Sequence, residues 1–118
     1  MVLTKEEKYV LIETKDEVLT AESIDKMRER FYEKYERENV IILLPTVKEM
    51  TEKTFDRLSF WNTETRNINK TFVIASLIEE LGNDIPEIEQ THTLSEAQDI
   101  IFMEEVERDI DRHFEENT

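Results

Sequence analysis

The chain has 118 residues, 38% hydrophobic and 37% charged, which is enough apolar material for one core and little beyond it. Its 29 acids against 15 bases leave a net charge of −14, which opposes the phosphate contacts of nucleic-acid binding and disfavours anionic membrane surfaces. With no cysteine there is no disulfide framework, thiolate nucleophile or zinc–thiolate site, and no apolar run approaches the roughly 18 residues of a membrane span. A single domain over 1–118 is expected, frayed from about 113. Met1–Lys8 lacks the apolar segment of a signal peptide, so a cytoplasmic protein is expected.

Tyr9–Thr14 is a short β-like run ended by the polar turn Lys15-Asp16-Glu17, and Val18-Leu19 offers a brief second strand. Thr20 is placed to cap a helix with Glu22 in its first turn, where the helix dipole favours an acid. Ile24, Met27, Phe31 and Tyr35 then recur at helical spacing, predicting a first helix over 21–38 that Asn39 ends. Val40–Leu44 is an unbroken apolar run, the pattern of a strand buried on both faces. A polar loop follows, and then a second helix over 52–67 with Phe55, Leu58 and Trp61 inward.

Thr71–Ala75 is another β-branched, apolar strand. Leu77, Ile78 and Leu81 suggest one or two helical turns, stopped at Gly82 and followed by a turn through Pro86. Ile88–His92 reads as a short edge strand. Thr93-Leu94-Ser95-Glu96 is a capping box that opens the last helix, which carries Ala97, Ile100, Ile101, Met103, Val106, Ile110 and Phe114. The order β(β)αβαβαβα implies an α/β fold, a mixed, mostly parallel four- to five-stranded sheet with about four helices.

This order, with several local signatures, resembles the STAS domain, the fold of anti-sigma factor antagonists and of the cytosolic part of sulfate transporters. "VLTAESIDKMRERF" is similar to the start of the family's first helix, "NVIILL" to its central strand and "NKTFVIAS" to the next strand. "THTLSEAQDIIFMEEVERDI" is similar to the closing strand and helix, in the manner of bacterial single-domain members of the Bacteroidetes type. The resemblance runs from about Lys8 to Asp109.

It implies a regulatory, protein-binding domain whose central strand ends in Asp and whose next helix opens with Asp-Ser-Ser-Gly, the second serine being the phosphoacceptor. On that pattern Leu43 stands at the strand-end Asp, and Thr51, Glu52, Lys53 and Thr54 stand on the loop. Lys53 then holds the phosphoacceptor place, and Thr54 resists the positive φ that glycine there would allow. A shift of a residue or two would bring Thr51 or Thr54 to the place instead. The resemblance thus implies a degenerate phosphorylation site, on a loop and helix that in the family meet an anti-sigma kinase.

The residues themselves suggest further uses for this segment. A helix N-terminus attracts anions, and Lys53 adds positive charge, yet Thr51 acting as the cap is the simpler role. Glu79-Glu80, Glu104-Glu105, Glu107, Asp109 and Asp111 lie without a glycine loop that would shape a calcium site. Glu104 and Arg108, four apart, read as helix-surface charges. His92 and His113 have no third ligand at metal spacing, so no metal and no cofactor is expected, and His113 reads as a surface ion-pair partner of Asp109. One glycine and two histidines assemble no P-loop, dinucleotide fingerprint or Ser-His-Asp set, so no enzyme is expected.

Phe60 and Trp61 are adjacent on a helix and cannot both point inward, so one is exposed or at an interface unless the whole aromatic set is drawn into the core. Ile100–Met103 is apolar on every side, implying a helix sandwiched in the core or contacting another chain. A non-catalytic domain binding a protein partner is therefore expected, through Thr51, Glu52, Lys53, Thr54, Asp56 and Arg57 with Phe60 or Trp61 as apolar anchor. The alternatives are a homodimerising, structural protein and a small-ligand-sensing domain that uses the acids.

Overall fold

The computed structural model describes residues 1–76 and 87–116. In chain order they form β1 (Val2–Lys5), β2 (Val10–Glu13), β3 (Val18–Leu19), α1 (Ala21–Lys34), β4 (Val40–Leu44), β5 (Glu49–Met50), α2 (Glu52–Asn67), β6 (Phe72–Ser76), β7 (Glu89–Thr91) and α3 (Leu94–Glu116). The main sheet is five-stranded in the order β1-β2-β4-β6-β7, and only the β1–β2 pair is antiparallel. β3 and β5 make a separate two-stranded parallel ladder. The helical turns expected over 77–81, and the Gly82 stop, lie outside the described residues.

β4 is central, which explains its unbroken apolar run: a strand covered on both faces has no polar side to show. Its alternate residues feed different cores. Val40, Ile42 and Leu44 join Val10, Ile12, Phe72 and Ile74 beneath α1 and α2. Ile41 joins Val73 and Ala75 beneath Ala97 and Ile101 of α3. Thus α1 and α2 cover one face of the sheet and α3 covers the other.

Several local features depart from the expected layout or add to it. β1 pairs with β2 in the register Val2↔Glu13 to Lys5↔Val10, but only Leu3 turns inward, so this edge strand has almost no apolar signal. α1 stops at Lys34 rather than 38, because Tyr35 swings to extended backbone at φ −130° and ψ 146°. Residues 35–39 are then free to cross from the helix end to the base of β4. Between α2 and β6, Asn69 has φ 62°, and the bonds from Lys70 N to Thr65 O (3.0 Å) and Asn69 N to Arg66 O (2.9 Å) form a Schellman cap. Asparagine does there what glycine usually does, since its short polar side chain tolerates the left-handed region.

The expected helix starts are in place. Thr20 Oγ1 accepts from Ser23 N at 3.2 Å and Thr51 Oγ1 from Thr54 N at 3.3 Å. At α3, Thr93 Oγ1 accepts from Glu96 N at 3.1 Å, and its hydroxyl donates to Glu96 Oε1 at 3.0 Å, so the box closes through its side chains.

Candidate functional site

The polar stretch after β4 is not a free loop. Lys48 N donates to Glu17 O at 2.7 Å, Glu49 pairs with Val18 and Met50 with Leu19, and Val47 is buried. Thr54, in the first turn of α2, donates its hydroxyl to Leu19 O at 2.8 Å. These bonds fasten the start of α2 to the strand that leads into α1. The two helices therefore start side by side, each capped by a threonine with an acid, Glu22 or Glu52, in its first turn. Those acids already complement the positive helix ends.

The seam between α1 and α2 is charged and closely engaged. The Arg28 guanidinium donates to Glu64 through Nε at 2.7 Å and Nη2 at 2.5 Å, the fork geometry that favours arginine at a carboxylate. It lies 5.2 Å from the Tyr32 ring centre and 5.3 Å from that of Phe60, held between two aromatic faces. Tyr32 OH also donates to Glu64 at 3.3 Å. The bond from Arg28 holds the Glu64 carboxyl below its ordinary range, while burial and the nearby Glu64 push the Tyr32 hydroxyl up. One turn earlier Arg57 pairs with Asp25 at 3.2 Å. That pair is half exposed and contributes at most about 1 kcal/mol. A shallow cleft of about 400 Å³ opens beside Arg28, Tyr32 and Glu64 and reaches Asn67.

The expected site residues separate on this scaffold. Thr51, Glu52, Lys53, Asp56 and Arg57 are exposed, and Lys53, Arg57 and Phe60 follow one side of α2 at helical spacing. Thr54 is enclosed. Trp61 is at 0% exposure, wedged between Phe31 and Phe72, whereas Phe60 is 59% exposed. The aromatic set is thus not drawn into the core as a whole, and Phe60 is the apolar group on the outer surface. The reason is phase: the side of α2 that carries Leu58, Trp61 and Thr65 faces the sheet.

A second polar cluster, at the opposite end of the strands, is organised by Asn39. Its Nδ2 donates to Lys8 O and to Glu105 Oε1, both at 2.8 Å, and its Oδ1 accepts from Thr71 N at 2.8 Å. Arg66 pairs with Glu104 at 2.9 Å, Arg108 with Glu105 at 2.8 Å, and the Thr71 hydroxyl bonds to both Glu104 and Arg108. Burial works against the charge on Glu105, but Asn39, Lys70 and Arg108 hold its carboxyl below the ordinary range. Glu104, Glu105 and Arg108 are therefore not the solvated helix charges that their spacing suggested. They face inward, joining α3 to the bases of β4 and β6. Each group named in the cluster bonds to another of them, so the cluster acts as a clasp between α3 and the strands.

Ile100–Met103 is likewise not sandwiched: Ile101 is buried, while Phe102 and Met103 project outward. Among the described residues, no three His, Asp or Glu side chains lie where they could share a metal ion. No helix among those residues is long and apolar enough to cross a membrane.

No protein-family model matches the sequence, and no curated protein matches it. Among solved structures, a candidate anti-sigma factor antagonist from Thermotoga maritima, seen in a crystal at 1.59 Å resolution, aligns with a TM-score of 0.67 at 13% identity. The match covers 85% of this chain and 92% of that one. The chain has a STAS-like fold. The sheet order, with α1 and α2 on one face and α3 on the other, is the mixed, mostly parallel architecture expected of it.

Proposed function

We propose that this STAS-like domain is a non-catalytic regulatory module that binds a protein partner through the outer side of α2 and the segment leading into it. The observation that carries the reading is Phe60: a large apolar side chain, 59% exposed, held against a guanidinium that is itself fixed by Glu64. An aromatic group kept rigid in the open loses little entropy on being covered, which is what an interface anchor needs. Lys53, Asp56 and Arg57 surround it with charges of both signs, the rim of such a surface.

The reading includes the loss of phosphorylation control. On the register that the resemblance implies, Lys53 takes the place of the family's acceptor serine, and the Thr54 hydroxyl is enclosed and donates to Leu19 O. Thr51 is exposed but serves as the cap of α2. The partner would then be held without a covalent switch.

The test has two arms. The wild-type protein and a Lys53→Glu/Phe60→Ser variant of unchanged melting temperature are used as baits in the native host. A partner bound by the first and lost from the second supports the reading, and equal binding by both rejects it. Intact-mass spectrometry of the protein purified from that host should give the unmodified mass. Stoichiometric phosphate on Thr51 would overturn the absence of a switch.

A further inference from the structure

We infer that the outer side of α3 is a second docking surface, shaped for a basic amphipathic helix of a partner protein. α3 is apolar on two opposite sides. Its inner side begins with Ala97 and Ile101, packed on Ile41, Val73 and Ala75. Beyond Ile101 the inner side turns ionic, where Glu104, Glu105 and Arg108 meet Arg66, Lys70 and Asn39. Over the same turns the solvent side turns apolar: Phe102, Met103, Val106 and Ile110 are 42–61% exposed. At about 100° per residue these side chains fall within one arc of about 100°, across the helix from Ala97 and Ile101. Scattered surface leucines or valines need no explanation, but a continuous stripe on a chain with 37% charged residues marks a contact surface.

Charge decides the occupant. Exposed Asp99 lies in line with the stripe at its N-terminal end, and exposed Glu107 and Asp109 border its two sides. Beside Phe102 the stripe runs into a cleft of about 340 Å³, where Glu6, Glu7 and Asp99 stand around Tyr9, Ile101 and Phe102 and Lys8 is the only base. Acids around an apolar floor suit a lysine or arginine, whose stem can lie on the floor while its head meets the carboxylates. A second copy of this chain would bring the same acids and another −14 charges, and an anionic membrane would be repelled for the same reason. A helix with leucine-like residues along one side and lysine or arginine beside them satisfies both the stripe and its border. This surface lies across the sheet from Phe60, so it stands or falls independently of the α2 reading.

The probe is a synthetic peptide of about four helical turns, with leucines along one side flanked by lysines, read by fluorescence anisotropy. A peptide of the same composition, with the leucines dispersed around the helix, is the control for simple charge attraction. The wild-type protein should bind the patterned peptide about tenfold or more tightly than the control. Met103→Ser/Ile110→Ser should bring the patterned peptide down to the control's level, and Asp99→Lys/Glu107→Lys should weaken the patterned peptide relative to wild type and reduce the salt dependence of its binding. Lys53→Glu/Phe60→Ser should leave binding unchanged. The altered positions are exposed, and an unchanged melting temperature shows that each variant is folded. Equal binding of both peptides, or patterned binding that survives Met103→Ser/Ile110→Ser, would overturn the proposal. So would a wild-type dimer in sedimentation equilibrium that this variant dissociates, since a second copy would then be the occupant. Stripe-dependent binding to zwitterionic lipid vesicles, with no preference for the patterned peptide, would overturn it in favour of a membrane.

Discussion

On the α1–α2 side of the sheet the core is large and aromatic, with Trp61 set 5.9 Å from Phe31 and 5.3 Å from Phe72, ring centre to ring centre. The ionic groups of that side, Arg28, Glu64, Asp25 and Arg57, sit outside it along the helix seam. On the α3 side the buried set among the described residues is smaller and aliphatic, made of Ile41, Val73, Ala75, Ala97 and Ile101. There the ions take the inner position, and Met103, Val106 and Ile110 are turned to solvent. The contrast shows that helical periodicity decides which residues share a face, while the partner layer decides which face is buried. It also separates two kinds of adhesion: non-directional burial on one side and directional hydrogen bonding on the other.

Two substitutions break the comparison at its strongest points. Trp61→Ala removes the central ring of the aromatic core and should destabilise by about 3–5 kcal/mol. Chemical denaturation measures this, and a loss below about 1 kcal/mol would mean that the core collapses around the gap. Asn39→Leu should cost about 2–3 kcal/mol, because the Thr71 N–H and the Lys8 carbonyl lose their partner while Glu105 stays half buried. If hydrogen exchange at the bases of β4 and β6 were unchanged in that variant, the clasp would not be what joins α3 to the strands.

How much of this was legible in the chain follows the same division. The bounds of α2, the strand β4 and the threonine caps at 20, 51 and 93 depend on neighbours within a turn or on an unbroken apolar run, and those signals are local. β1 and β5 were not legible: one shows a single inward residue, and the other is two residues long and is a strand only because Val18-Leu19 lies beside it. Asn39 reads as a helix stop, yet its role is to bond to Lys8, Thr71 and Glu105 on three other segments. Glu104 and Arg108 have the same four-residue spacing whether they face water or the sheet. For the expected surface, Lys53, Asp56 and Arg57 could be placed by helical phase, but the choice between Phe60 and Trp61 needed the position of the sheet.

The ionic contacts of the two sides can be compared through pH. Glu64 is held below its ordinary value, so folding favours its carboxylate and the unfolded chain binds the extra proton. Its contribution is complete above the ordinary carboxylate value and is lost as pH falls through the lower folded one. Glu105 behaves in the same sense. Glu64→Gln should therefore flatten the decline of melting temperature under acid conditions, leaving the part due to Glu105. An acid profile identical to wild type would show that the Arg28 fork contributes nothing in solution.

Thr54→Val tests the start of α2 on a smaller scale. It keeps the volume of a buried side chain but removes the hydroxyl that meets Leu19 O, which should cost about 1–2 kcal/mol. Heating curves give the loss, and a neutral outcome would mean that β3 and β5 hold the helix start unaided.

The smallest expected change in stability belongs to the residue next to the largest. Phe60→Ser leaves the core untouched and removes only a ring stacked on Arg28, whose fork to Glu64 remains. The denaturation free energy should therefore fall by no more than about 0.5–1 kcal/mol, the worth of an exposed cation–π contact. If the outer side of α2 is an interface, the same substitution should weaken partner binding by about 2 kcal/mol or more, the scale of a buried aromatic anchor. Those expectations pull apart two neighbours in the chain: Trp61→Ala should lower stability, and Phe60→Ser should lower affinity alone. A Phe60→Ser protein as unstable as the Trp61 variant would mean that Phe60 supports the fold rather than a contact. One that kept both its stability and its partner would leave Lys53 and Arg57 to carry the surface by charge, and partner binding would then weaken steeply with salt.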